Sequence, residues 1–253
     1  MRYECMLPHQ IRTAIEKNTP VLLAIGVLEY HAEHLSLGVD AHIIRGVLER
    51  IEKDFPEVIL LPTFYYNTAS YAVAGPEKNG GINFDSNKVQ AIAEDLFTGL
   101  LETGFRNIHG FVWHQSENFF QGMPGDLSFR SAGRRCIFEY LEKKEGRGWW
   151  GNEKSAAYYE GDNPFDWIRI HPLANAETFA RYKMDHAGKS ETELMMALYP
   201  DEVDLSKHDP SLWYSRSAVN ADINEAEAIL QEMYDNVKNI ITNTKTDAWL
   251  FEE

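Results

Sequence analysis

Val21 to Asp40 reads VLLAIGVLEYHAEHLSLGVD. Its first five residues, Val21 to Ile25, are an unbroken apolar run of the kind that forms a strand buried on both faces. Glu29 and His31 lie two apart just beyond the run, and that spacing puts extended-chain side chains on one face. A carboxylate and an imidazole therefore leave the sheet together at its carboxyl edge. His34 follows on the turn, and Asp40 opens the next helical pattern. Four metal-competent side chains within this one stretch suit a borderline or hard divalent ion such as zinc or manganese. Each also has a plainer reading: Glu29 and His31 a solvated pair, His34 a turn residue, Asp40 a helix N-cap. Their convergence at the mouth of one buried strand favours the metal reading.

Outward from this stretch, Ile43, Ile44, Val47, Leu48 and Ile51 mark one apolar helix face. Pro56 separates that helix from a second apolar run, Val58 to Leu61, which Pro62 ends. Strand, helix, strand in this order predicts a parallel sheet with right-handed crossovers. A lead-in helix is expected within residues 1–18, with Ile11, Ala14 and Ile15 as its apolar side. Residues 63–84 read as a long loop, and such loops often line sites, which makes Asn67, Ser70 and Tyr71 pocket candidates. A helix capped by Asp85 or Ser86 and stopped by Gly104 follows, then a strand from Phe105 to Trp113 in which His109 is structural. Further helices are expected around Arg130 to Leu141 and, as amphipathic packing, from Asn224 to Asn243. One α/β domain over residues 1–253 is the expected organisation.

The net charge of −15 disfavours a nucleic acid or an anionic membrane as partner. Two distant cysteines, Cys5 and Cys136, indicate neither a disulfide framework nor a cysteine zinc site. The first ten residues hold no apolar signal-peptide core, and no apolar run reaches membrane-spanning length. A cytoplasmic protein acting on a small molecule is the expectation.

The stretch Gly26 to Asp40 resembles the signature of the creatininase family of metal-dependent amidohydrolases. That signature is a strand, then Glu-x-His-x-x-His-Leu-x-Leu-Gly-x-Asp, then a helix. Glu29, His31, His34, Leu35, Leu37, Gly38 and Asp40 fall in register with it. A second family cluster, Asn-Gly-His-x-Glu-Asn or Asn-Gly-His-Gly-Gly-Asn, meets WHQSEN here, Trp113 to Asn118. Register on Glu117-Asn118 puts Gln115 at the histidine position, whereas register on His114 needs an extra residue before Glu117. An amide is a poorer ligand than imidazole, which favours His114. The third cluster, His-Ala-Gly-x-x-Glu-Thr, matches His186, Ala187, Gly188, Glu191 and Thr192, with Ser190 as the expected helix cap.

The resemblance implies a three-layer α/β/α sandwich around a mostly parallel sheet, assembled as a hexamer. It implies Glu29, His31, Asp40, His114 and Glu117 as ligands of one or two divalent ions, zinc or manganese. If two ions bind, Asp40 bridges them, and His34 supports the ligands from outside. His186 would handle the proton and Glu191 would orient it. The implied reaction is hydrolysis of a C–N amide bond in a small, creatinine-like cyclic substrate by a metal-activated water. One of Trp149, Trp150 and Trp167 would close over it. The altered WHQSEN segment also admits a family member that has lost activity and binds a metabolite. Two histidines and a carboxylate admit a mononuclear iron enzyme.

Overall fold

A computed structural model of the protein describes residues 1–161 and 163–242. Its strands are β1 (Val21–Ile25), β2 (Ile59–Leu60), β3 (Ile108–Val112) and β4 (Ile168–Pro172). Its α-helices are α1 (Pro8–Glu16), α2 (Val39–Asp54), α3 (Ser86–Thr103), α4 (Pro124–Glu145), α5 (Ala176–Tyr182), α6 (Lys189–Leu198) and α7 (Ile223–Thr242). The strands form one parallel sheet in the order β2-β1-β3-β4.

Side-chain alternation along the strands sorts the core into two layers. Leu22, Ala24 and Phe111 point to the face covered by α2, α6 and α7, where Ile43, Val47, Leu194, Leu230 and Met233 meet them. Val21, Leu23, Ile25, Ile108 and Val112 point to the opposite face, against Val89, Phe97, Phe129 and Ile137 of α3 and α4. Burial on both faces explains why β1 reads as a continuous apolar run. The result is the α/β/α sandwich expected from the sequence.

Several elements differ from the sequence reading. The second strand shrinks to Ile59–Leu60, and the lead-in segment supplies its missing pairing: Arg2 bridges Leu60, and Leu60 donates its N–H to Met1 O at 2.8 Å. Asp85 caps α3 by accepting from Asn87 N and Lys88 N, and Gly104, with φ 121°, ends the helix, as expected. Strand β4 and the short helix α5 carry little sequence signal: IRIHP is brief, broken by Arg169 and His171, and closed by Pro172. The last helix spans Ile223–Thr242, while Asn243 lies outside the described residues.

His109 is structural, as expected, through a chain of buried hydrogen bonds. Asn107 Nδ2 donates to Asn18 O at 3.0 Å, so its Oδ1 accepts from His109 Nε2 at 2.8 Å. His109 Nδ1 is then the acceptor for His171 Nε2 at 3.2 Å. Both imidazoles are neutral: burial pushes His109 well below its ordinary value and His171 down to about 3.

From β1 the chain steps to β2 on one side and then crosses to β3 on the other. The crevice beyond the carboxyl ends of β1 and β3 is therefore the switch point of the sheet, where open α/β folds place their sites.

Candidate metal centre

Three segments meet at that crevice. The first is the turn after β1, which closes on itself through a hydrogen bond from Glu29 N to Leu37 O at 3.1 Å. Gly26 lets β1 run directly against α2, since a Cβ there would strike Ala41. Helix α2 begins at Val39 after Gly38, so Asp40 sits inside the first turn and its side chain caps nothing. The N-cap reading of Asp40 is thereby removed, and its carboxylate faces inward, 2% exposed.

The second segment is the end of β3, which delivers His114. The third is the loop into α6, which delivers His186 and Glu191. Ser190 does not cap this helix: Gly188 holds the N-cap position, and Lys189 N donates at 2.9 Å to Ser217 Oγ, which itself donates to Asp185 Oδ2 at 3.1 Å. Ser190 is buried within the first turn and Glu191 points into the crevice.

The ligand-bearing atoms form three overlapping groups among the described residues: Glu29–Asp40–His114, His31–Asp40–Glu191 and Glu29–His31–His186. His114 Nδ1 lies 3.1 Å from Glu29 Oε2 and 3.6 Å from Asp40 Oδ2. His31 Nε2 lies 3.4 Å from Asp40 Oδ2 and 3.6 Å from Glu191 Oε2. Glu29–Asp40–His114 and His31–Asp40–Glu191 each bring three such atoms within 4.8 Å of one another, and Asp40 belongs to both. His186 stands at the rim, its Nδ1 4.0 Å from Glu29 Oε2 and its ring 4.5 Å from that of His31.

The protein's own hydrogen bonds leave these atoms free. His31 Nδ1 donates to Glu29 O at 3.0 Å, which leaves the Nε2 lone pair aimed at Asp40 and Glu191. Glu29 Oε2, His31 Nε2 and Asp40 Oδ2 are buried without a hydrogen-bond partner among the described residues. Buried polar atoms are ordinarily paired, so converging orphans of this kind match the donor set of a divalent ion. Carboxylate and imidazole donors fit zinc and manganese alike.

Electrostatics say the same. Burial lowers the His114 value, but the carboxylates of Asp40 and Glu29 outweigh it and push the imidazole up to about 10. Burial raises Asp40, yet His31 and His114 hold it below the usual carboxylate value. Burial and the charge of Asp40 push Glu191 up to about 8. Protons on His114 and Glu191 thus balance a cluster that a divalent ion would balance in their place.

His34 lies behind this cluster. Thr192 Oγ1 donates to Gly188 O at 2.6 Å and so accepts from His34 Nε2 at 3.1 Å, which ties the turn after β1 to α6 beside Glu191. Burial, with His208 and His31 nearby, lowers His34 to about 4 and keeps it neutral.

In the WHQSEN segment, His114 belongs to one of the ligand groups. Glu117 is not brought to the centre. Gln115 adopts a left-handed conformation, φ 53°, that throws the chain into a tight turn over Ser116–Asn118. Ser116 then faces inward, while Glu117 is exposed and accepts from Asn118 Nδ2 at 3.1 Å. Glu191 takes the place among the ligand groups that the sequence reading gave to Glu117.

Of the loop candidates, Ser70 and Tyr71 border a cavity of about 100 Å3 beside Glu29, with Tyr30, Val73 and Asn79. Asn67 is instead buried against Gly125 and braces the loop through Thr68 N. Trp149, Trp150 and Trp167 do not border the centre. They line a separate cavity of about 250 Å3 near the start of β4, the opposite edge of the sheet. Five residues of strand put about 16 Å between the two edges. The aromatic group beside His186 is Tyr214, with ring centroids 5.3 Å apart and its hydroxyl on Ala74 O. It comes from a 3-10 helix, Trp213–Asn220, that carries no sequence signal.

The creatininase family profile, whose description is creatinine amidohydrolase, matches residues 5–235 of this chain. A creatinine amidohydrolase of Pseudomonas putida is 25% identical over 195 residues, 76% of this chain and 70% of that relative. A manganese form of creatininase superposes with a TM-score of 0.71 at 18% identity, covering 95% of this chain and 96% of the other. A mutant creatininase of zinc–zinc type gives 0.69 at 19% identity, with 95% and 96% covered.

Proposed function

This chain belongs to the creatininase family, and on that premise we propose that it is a two-metal hydrolase that opens the C–N amide bond of a small cyclic substrate of the creatinine kind. The observation that carries this reading is the pair of ligand groups sharing Asp40, with buried orphan atoms in both. One ion would be held by Glu29, Asp40 and His114, the other by His31, Asp40 and Glu191, with zinc or manganese as the ions. Bound there, they supply a Lewis acid for the substrate carbonyl and a water acidified to about neutral pKa.

The chain's own part in the reaction centres on His186. Its Nε2 donates to Tyr30 O at 3.1 Å, which fixes the ring and leaves Nδ1 open toward Glu29 and the crevice. His186 Nδ1 takes the proton of the attacking water and returns it to the leaving nitrogen. Tyr214 packs against the ring and keeps it at the rim. The cavity beside Glu29 admits a substrate of few heavy atoms, and its lining of Tyr30, Ala69, Ser70, Tyr71, Val73, Asn79 and Gly81 holds no cation. A neutral or cationic amide suits it better than a carboxylate-bearing one.

The reading extends to a cytoplasmic homo-oligomer, by family resemblance a hexamer. Exposed aromatic side chains support it: Phe120, Tyr159 and Trp213 stand largely in solvent in the single chain. The test is ring opening of creatinine, simple lactams and cyclic ureas by manganese- or zinc-loaded protein. Turnover of one of these, lost in Glu29→Gln, is expected. Absence of turnover across the panel, or full activity in Glu29→Gln, contradicts the proposal.

A further inference from the structure

Glu191 is the one proposed ligand that comes from α6, and its two oxygens are differently engaged. Oε2 accepts from Ala187 N at 2.7 Å and faces His31 Nε2 at 3.6 Å. Oε1 accepts from the indole Nε1 of Trp113 at 2.9 Å. Trp113 is 4% exposed and stacks on Phe179, ring centroids 5.7 Å apart and planes 18° apart, so its single donor is held at a fixed point. The next residue in the chain is His114, a proposed ligand of the other ion. One dipeptide thus gives a ligand to one ion position and orients a ligand of the other.

We propose that Trp113 is a positioning residue that sets the affinity of the ion position built by His31, Asp40 and Glu191, and that it does so by holding Oε1 so that Glu191 offers Oε2 to the ion. The proposal rests on the two-ion reading above. Indole nitrogen donates and cannot accept, so it fixes the sense of the carboxylate rather than merely contacting it. Without it, Oε1 is a buried acceptor lacking a donor, and the carboxylate turns away from the ion position to find one. Partners of metal ligands at this remove typically change affinity by about 10–100-fold.

The experiment is a stepwise calorimetric titration of metal-free protein with manganese, wild type against Trp113→Phe, which keeps a ring against Phe179 and removes the donor. Melting of both metal-free proteins is recorded as a check on folding. One binding step weakened by about 10–100-fold, with the other within about twofold, is the expected result. Two unchanged steps overturn the role of Trp113 and leave the two-ion reading standing. No binding to wild type overturns that reading and this proposal with it. If the variant does not fold, the wild-type indole N–H resonances decide. With diamagnetic zinc as the probe, a Trp113 resonance that moves on filling of one ion position and not the other supports the proposal, and one that does not distinguish the two positions overturns it.

Discussion

His31 Nε2 and Asp40 Oδ2 face each other at 3.4 Å inside the protein, and neither has a hydrogen-bond partner among the described residues. Asp40 Oδ2 also stands 3.6 Å from His114 Nδ1. A shared carboxylate has a definite consequence for mutation. Asp40→Asn is expected to abolish tight binding of both ions, whereas Glu191→Gln is expected to remove one and keep the other. Calorimetric stoichiometry checks this, and retention of two ions by Asp40→Asn counts against the shared group.

Glu117 gives the converse. Its exposed carboxylate is turned away by the left-handed Gln115. Glu117→Gln is therefore expected to change ion affinity and turnover by less than about twofold, since surface substitutions away from such features are usually within about 0.5 kcal/mol. Loss of an ion equivalent in this variant would place the segment differently from the geometry described.

These two carboxylates show what the sequence made legible and what it did not. Glu29, His31 and Asp40 fall in one short stretch, and strand spacing with helix onset was enough to bring them together. His114 was legible because a buried strand must deliver its next polar residue to the same edge. Glu191 is legible from its motif, but its place beside His31 and Trp113 depends on where α6 packs, a tertiary fact. Glu117 is a ligand only by the family resemblance, and the positive φ at Gln115, which the sequence does not announce, leaves its carboxylate exposed. For the tryptophans the plain packing role holds: Trp149 and Trp150 follow α4, Trp167 precedes β4, and all three line the cavity near the start of β4.

His186 is expected to matter for turnover and not for ion retention. Its Nε2 is anchored on Tyr30 O, and its Nδ1 alone faces the crevice. His186→Gln should lower turnover by about 10²–10⁴-fold, the usual range for a general acid–base group, while both ions remain bound. Parallel rate and metal measurements check this, and near-normal turnover would remove His186 from the reaction.

The buried His109–His171 pair makes stability depend on pH. Burial depresses both imidazoles, His171 to about 3, whereas the unfolded chain protonates near 6.5. Between those values the unfolded state holds more protons than the folded one. Stability contributed by the pair is therefore complete above pH 6.5 and falls as pH drops toward 3, by roughly 1.4 kcal/mol per pH unit for each histidine. Denaturant unfolding of metal-free protein at pH 7.5, 6 and 5 measures it, and the double variant His109→Phe, His171→Phe should show a shallower slope. An equal slope in that variant would assign the acid sensitivity to other groups.

The proposed two-ion centre is built around Asp40. Elemental analysis of the purified chain, prepared without chelator or histidine tag and equilibrated with manganese or zinc, tests it most directly. Two equivalents of metal per chain are expected. A chain that holds none after that equilibration would contradict it.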